Sequence, residues 1–157
     1  MNKLFFICPD CYLEQEVRQS FGEDCFFVTA LGSVWSILGD DFWSGMDDFI
    51  AREQIGHIYI VNDTDCTFVG SALLLKPTTN TEAEKFLIEL TTNPKIDSIP
   101  NLKEKKVELC KLNLQSSAQW CVQHSSCMRQ KLDNNEIILE GLLFDRKQRS
   151  FTSIKII

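Results

Sequence analysis

Three short, nearly continuous apolar runs most restrict what this chain can become: KLFFI at residues 3–7, CFFVTA at 25–30 and HIYIV at 57–61. They are rich in Phe, Val and Ile and lack a regular polar face, as strands covered on both sides do. Helix-forming stretches lie between them. Strand, helix, strand, helix, strand implies crossover connections and a parallel sheet with helices on its faces.

After Ser44 as an N-cap, Met46, Phe49 and Ile50 mark one face of a helix that Gly56 is placed to close before the third strand. Thr81 and Glu84 have capping-box spacing, the stripe Ala83, Phe86, Leu87 and Leu90 follows, and Pro94 stops that helix. A loop with Pro94 and Pro100 leads to a long helix over roughly 107–132, with Ala118, Cys121, Val122 and Leu132 on its buried side. EIILEGLLFD, the turn RKQR and SFTSIKII read as a closing β-hairpin. The expected fold is α/β in three layers: a central, mostly parallel sheet of about five strands, the last hairpin strand antiparallel. With no repeat or linker, residues 1–157 read as a single domain.

An apolar fraction of 44% with 24% charged residues suits a globular chain, and no apolar run approaches the ~20 residues that cross a bilayer. The opening MNKLFFICPD is too short for a signal sequence, so the expected compartment is cytoplasmic, with no membrane partner. Sixteen basic against 22 acidic residues give a net charge of −6, and no Lys/Arg cluster with interleaved aromatics tracks a phosphate backbone. Nucleic acid is not expected as a partner on that ground. The seven cysteines are odd in number and lack framework spacing, so they read as thiols, Cys25 and Cys110 as plain core residues.

Sites in parallel sheets form beyond the carboxyl ends of the strands, where strand order reverses. CPDC follows the first strand and NDTDC the third. If those strands are neighbours, Cys8, Asp10, Cys11, Asp63, Asp65 and Cys66 converge on one crevice. Thiolates and carboxylates both ligate Zn²⁺, so two such loops can assemble a four-ligand site. Plainer readings stand beside this one: Cys11 suits the start of a helix, and the aspartates of DTDC suit a cap for a helix from 67. In CVQHSSC, Cys121 and Cys127 lie about 240° apart on a continuous helix, so with His124 they read as structural. His57, opening a strand, reads as a hydrogen-bonded neutral side chain.

ICPDCY, DCFFVTALGSV and GHIYIVNDTDCTFV, in that order and spacing, resemble the β-class carbonic anhydrases. That family's strands end in Cys-x-Asp-Ser-Arg, Arg-Asn-Ala-Gly-Asn and His-x-x-Cys. LNLQSSAQW and EGLLFDRKQRSF are similar to its closing helix and strand, while residues 76–106 match nothing. The resemblance implies a Zn²⁺ cofactor held by Cys8 and Cys66, with Asp63 standing at the family's histidine. It implies Asp10 as the family's catalytic aspartate, but Tyr12 stands where that aspartate's Arg partner should be, and Ala30 and Ser33 replace the asparagines around Gly32. It also implies a bicarbonate or small-molecule partner and a homodimer, formed through a sheet edge or the final hairpin.

The departures bear on activity. Two thiolates with Asp63 leave Zn²⁺ at about −1 where two thiolates and a neutral His balance it, and Asp10 or Cys11 as a fourth ligand would close the site. Three readings follow: a divergent zinc protein with weak or absent CO₂ hydration, an active zinc lyase or hydrolase on a small substrate, or a metal-free dithiol redox protein using Cys8 and Cys11.

Overall fold

In the computed structural model, residues 1–157 form one α/β unit around a five-stranded sheet of order β2-β1-β3-β4-β5. Strand β1 (Asn2–Ile7) leads through a 3₁₀ turn (Pro9–Cys11) into α1 (Glu14–Phe21) and β2 (Cys25–Thr29). A second 3₁₀ turn (Leu31–Ser33) precedes α2 (Asp40–Arg52), β3 (Ile55–Asp63) and α3 (Thr67–Leu73). The helices α4 (Glu82–Thr91), α5 (Pro94–Asp97), α6 (Leu102–His124) and α7 (Ser126–Asp133) then lead to the hairpin of β4 (Ile138–Asp145) and β5 (Ser150–Ile154). The first four strands run parallel and only β4–β5 is antiparallel, the expected mixed sheet.

Both faces of the sheet are covered, as the unbroken apolar runs require. Successive strand residues point to opposite sides. Phe5, Ile7, Tyr59, Val61, Leu142 and Phe144 enter one core, whereas Leu4, Phe6, Ile58, Ile60 and Leu139 enter the other. Helix α6 serves both, through Leu109 and Cys110 in the first core and Leu114, Ala118 and Cys121 in the second. In the second core Phe6 stacks on Trp35 at 4.5 Å. Gly141 permits the close approach of the C-terminal segment, since a Cβ there would lie 2.6 Å from Ile156 Cγ2.

Several local expectations are corrected. Helix α2 starts at Asp40 with Gly39 as N-cap, so Ser44 is interior; it ends at Arg52, where Gln54 takes the left-handed turn and Gly56 lies within β3. Thr81 does cap α4 by accepting the Glu84 amide, but the Glu84 carboxylate turns to the preceding loop instead of completing a capping box. Pro94 lies beyond the end of α4 and opens α5 at its first position, where a missing N–H costs nothing. The long helix starts earlier and breaks at Ser125, whose hydroxyl caps α7 by accepting the Met128 amide at 3.0 Å. Asp47 from α2 secures that break by accepting from the Ser125 and Ser126 hydroxyls and the Ser126 and Cys127 amides.

Candidate metal centre

Strands β1 and β3 are neighbours, with Phe6 opposite Ile60, and β2 lies on the other side of β1. Strand order therefore reverses at β1, and the residues just past β1 and β3 share one crevice. Cys8 follows β1, Cys11 ends the 3₁₀ turn, and Cys66 is the N-cap of α3. Their sulfurs lie within 4.8 Å of one another, and all three residues are at most 5% exposed. Tetrahedral zinc with Zn–S bonds of ~2.3 Å sets its sulfurs ~3.8 Å apart, so this donor set fits a thiophilic cation with small adjustment.

The surroundings favour charge at Cys8. Bonds from the Cys11 and Cys66 thiols, with the Asp10 and Gly32 amides, hold its thiol down to about 3 against the effect of burial. The Gly32 N–H donates to Cys8 Sγ at 3.2 Å. Bonds to Cys66 and Cys8, with burial, push the Cys11 thiol far up. Cys66, lowered by its bond to Cys11 but raised by Cys8 and by burial, is pushed up to about 12. A divalent cation there would favour ionisation of the thiols, with release of protons.

Gly32 is held in place from behind. It takes a left-handed φ of 64°, and a Cβ there would lie 3.0 Å from Leu87 Cδ1, so both conformation and space call for glycine. Asn113 on α6 places its Nδ2 within 3.0–3.1 Å of the Gly32 and Ser33 carbonyls and Asn62 Oδ1. Cys110, a turn earlier, is fully buried and donates to the Asp63 carbonyl at 3.8 Å.

The structure leaves Asp63 outside the thiol cluster. Its Oδ2 lies 2.7 Å from Arg146 Nη2, and its Oδ1 accepts the Asp65 N–H at 2.8 Å. Burial raises its carboxyl, against the pull of the Asp65 amide and of Arg146. The aspartates of DTDC therefore build a turn before α3, whose N-cap is Cys66. Arg146 lies in the hairpin turn, and its Nη2 also donates to the Cys11 carbonyl at 2.7 Å. Tyr12, at the position of the family's Arg, is left-handed and 78% exposed. Asp10 is exposed and lines a cleft of about 350 Å³ with Leu31, Thr67, Phe68, Thr78, Thr79 and Thr81.

Glu84 builds the far wall of that cleft. Its buried carboxylate accepts the amides of Thr78, Thr79 and Asn80 and the Thr78 hydroxyl at 2.7–2.9 Å. Burial raises its carboxyl, but these bonds outweigh it and hold the group down to about 2. The other residues considered for chemistry stay apart. His124 pairs with Asp40 at 3.1 Å and stacks on Trp120, Cys121 is fully buried, and His57 stacks on Tyr59. All seven cysteines are free thiols, with Cys25 and Cys110 buried in the core.

The sequence pattern missed Arg146, Asn113 as a support for Gly32, and the reach of Glu84. The only signal for Arg146 was its place in the RKQR turn at the end of β4, whose last residues pair with the end of β3 through Phe144 opposite Asp63.

No protein-family model matches the chain, and no curated protein matches it in sequence. Solved structures do resemble it. One is a β-carbonic anhydrase of the filamentous ascomycete Sordaria macrospora, described as tetrameric: TM-score 0.79 and 15% identity over 98% of this chain and 80% of that one. Another is the β-carbonic anhydrase CafA of Aspergillus fumigatus, with TM-score 0.81 and 20% identity over 99% of this chain and 76% of that one. A third, the Coccomyxa β-carbonic anhydrase in complex with acetazolamide, gives TM-score 0.74 and 14% identity over 98% and 71%. Identities this low speak to architecture alone, and by architecture this chain has the β-carbonic anhydrase fold.

Proposed function

We propose that this chain is a zinc-binding protein of the β-carbonic anhydrase fold, with Cys8, Cys11 and Cys66 as ligands and weak or absent CO₂ hydration. The observation that carries the reading is the cluster of three buried thiols within 4.8 Å at the strand ends. Asp63, the third ligand expected from the aligned motif, lies outside that cluster, with its Oδ2 2.7 Å from Arg146 Nη2.

Zinc supplies Lewis acidity, and three thiolates around Zn²⁺ leave a net charge of about −1, which weakens that acidity relative to two thiolates and a neutral imidazole. The protein's own residues act in the same direction. Asp10 is the only charged side chain lining the cleft, so bicarbonate meets repulsion there. Tyr12 supplies no guanidinium to pair with Asp10.

Metal analysis of protein purified without a histidine tag, paired with a stopped-flow CO₂ hydration assay near neutral pH, tests the reading. Stoichiometric zinc with little hydration above background is the expected result. A hydration rate typical of efficient enzymes would instead favour an active lyase, and thiol–disulfide exchange in metal-free protein would favour a dithiol role. The assembly proposed is a homo-oligomer, most simply a homodimer through an edge strand, β2 or β5. Light scattering coupled to size exclusion checks it, and a monomer would count against it. No helix is long and apolar enough to cross a membrane, and the proposed place of action is the cytoplasm, which localisation of a tagged chain would test.

A further inference from the structure

Arg146 makes two contacts that converge on the thiol cluster from the opposite end of the chain. Its Nη2 lies 2.7 Å from Asp63 Oδ2, and it donates to the Cys11 carbonyl at 2.7 Å although 135 positions separate the two residues. Asp63 is fully buried on its side chain and closes β3 three residues before Cys66. Its other oxygen is occupied by the Asp65 amide. A buried carboxylate three residues before a thiol of the cluster would itself be a good ligand for Zn²⁺ if nothing held it. Cys11, for its part, ends a single 3₁₀ turn of three residues, an element with little rigidity of its own.

We propose that Arg146 is a positioning residue that selects the ligand set of the metal centre. It holds Asp63 away from the metal and, through the Cys11 carbonyl, fixes the turn that presents Cys11, so that the third ligand is a thiolate and not a carboxylate. The parallel pairing of β3 with β4 makes this possible, because Phe144 lies opposite Asp63 and the hairpin turn begins two residues further on. A planar guanidinium can serve a carboxylate and a carbonyl at once, which a lysine ammonium does with less directional control. This inference rests on the three-thiolate reading above.

Substitution with Co²⁺ separates the two ideas, since thiolate-to-cobalt charge-transfer intensity counts the sulfur ligands independently of any activity. Wild-type protein is expected to show the intensity of three thiolates; no thiolate band would overturn both the metal reading and this inference. Arg146→Met is expected to lose about one third of that intensity as Asp63 replaces Cys11, and to bind zinc ~10–100-fold more weakly, the range for a lost supporting contact. Arg146→Gln removes the charge facing Asp63 yet retains an N–H for the Cys11 carbonyl, and should give the same loss with a smaller disturbance of the turn. Asp63→Asn should keep the three-thiolate spectrum and near wild-type zinc affinity, because Asp63 is not a ligand. Full intensity in a folded Arg146→Gln or Arg146→Met protein would overturn the inference. So would loss of zinc affinity in Asp63→Asn, a measurement that stands whether or not the Arg146 variants fold.

Discussion

Asn113 and Cys11 act on the centre from different distances, and single substitutions tell them apart. Asn113 Nδ2 serves the Gly32 and Ser33 carbonyls and Asn62 Oδ1, and the amide of the same Gly32 donates to Cys8. Asn113→Leu fills similar space but leaves buried oxygens without a donor. We expect a loss of about 1–3 kcal/mol in urea unfolding and a zinc affinity ~10-fold or more below wild type, because Gly32 loses its anchor. On the proposed three-thiolate set, Cys11→Ser removes a ligand with little change in packing. Its zinc affinity in a chelator competition should therefore fall by more than the ~100-fold that bounds loss of a supporting contact, while its urea midpoint without metal stays near that of metal-free wild type. Retention of wild-type affinity would remove Cys11 from the ligand set.

Two carboxylates hold elements together across the chain. Glu84, on α4, gathers the amides of residues 78–80 into the wall of the cleft, and its carboxyl is held down to about 2 from an ordinary 4.5. A carboxylate lowered on folding contributes stability that is complete above the unfolded value near 4.5 and is lost as pH falls towards 2. Unfolding free energy measured across pH 5 to 2 should therefore fall, and Glu84→Gln should flatten that slope while lowering stability at pH 7. An unchanged slope in Glu84→Gln would place the pH dependence on other carboxylates. Asp47 joins α2 to the start of α7 through two amides and two hydroxyls. Asp47→Ala should destabilise by about 1–2 kcal/mol, in the manner of a lost cap, with thermal unfolding as the check.

The molecule as a whole couples the centre to the fold, because the thiols come from the ends of β1 and β3 in the middle of the sheet. A cation bound only by the folded state at 100 times its Kd adds about 2.7 kcal/mol. At roughly 2–4 °C per kcal/mol for a domain of this size, removing zinc with a strong chelator should lower Tm by roughly 5–10 °C. A Tm indifferent to chelator would mean that the cluster holds no metal of consequence to the fold.

The sequence by itself determined the sheet, because buried parallel strands must be apolar on both faces, and KLFFI, CFFVTA and HIYIV show it without any partner being known. The closing hairpin and the meeting of Cys8, Cys11 and Cys66 were legible too, since strand ends are where such sheets expose their loops. Helix limits were read less well. Gly39 and Gln54 bound α2 through backbone conformation, and the break at Ser125 depends on Asp47 reaching it from another helix. The surroundings of Asp63 lay beyond a linear reading. Matching the motif groups Asp63 with the thiols because its position along the strand is right; position fixes where a backbone goes, not which charge its side chain will meet. Only the parallel pairing of β3 with β4 brings Arg146 to that carboxylate and to the Cys11 carbonyl, leaving three sulfurs together. A buried charge settles on whichever opposite charge the fold places within reach, and that is decided in three dimensions.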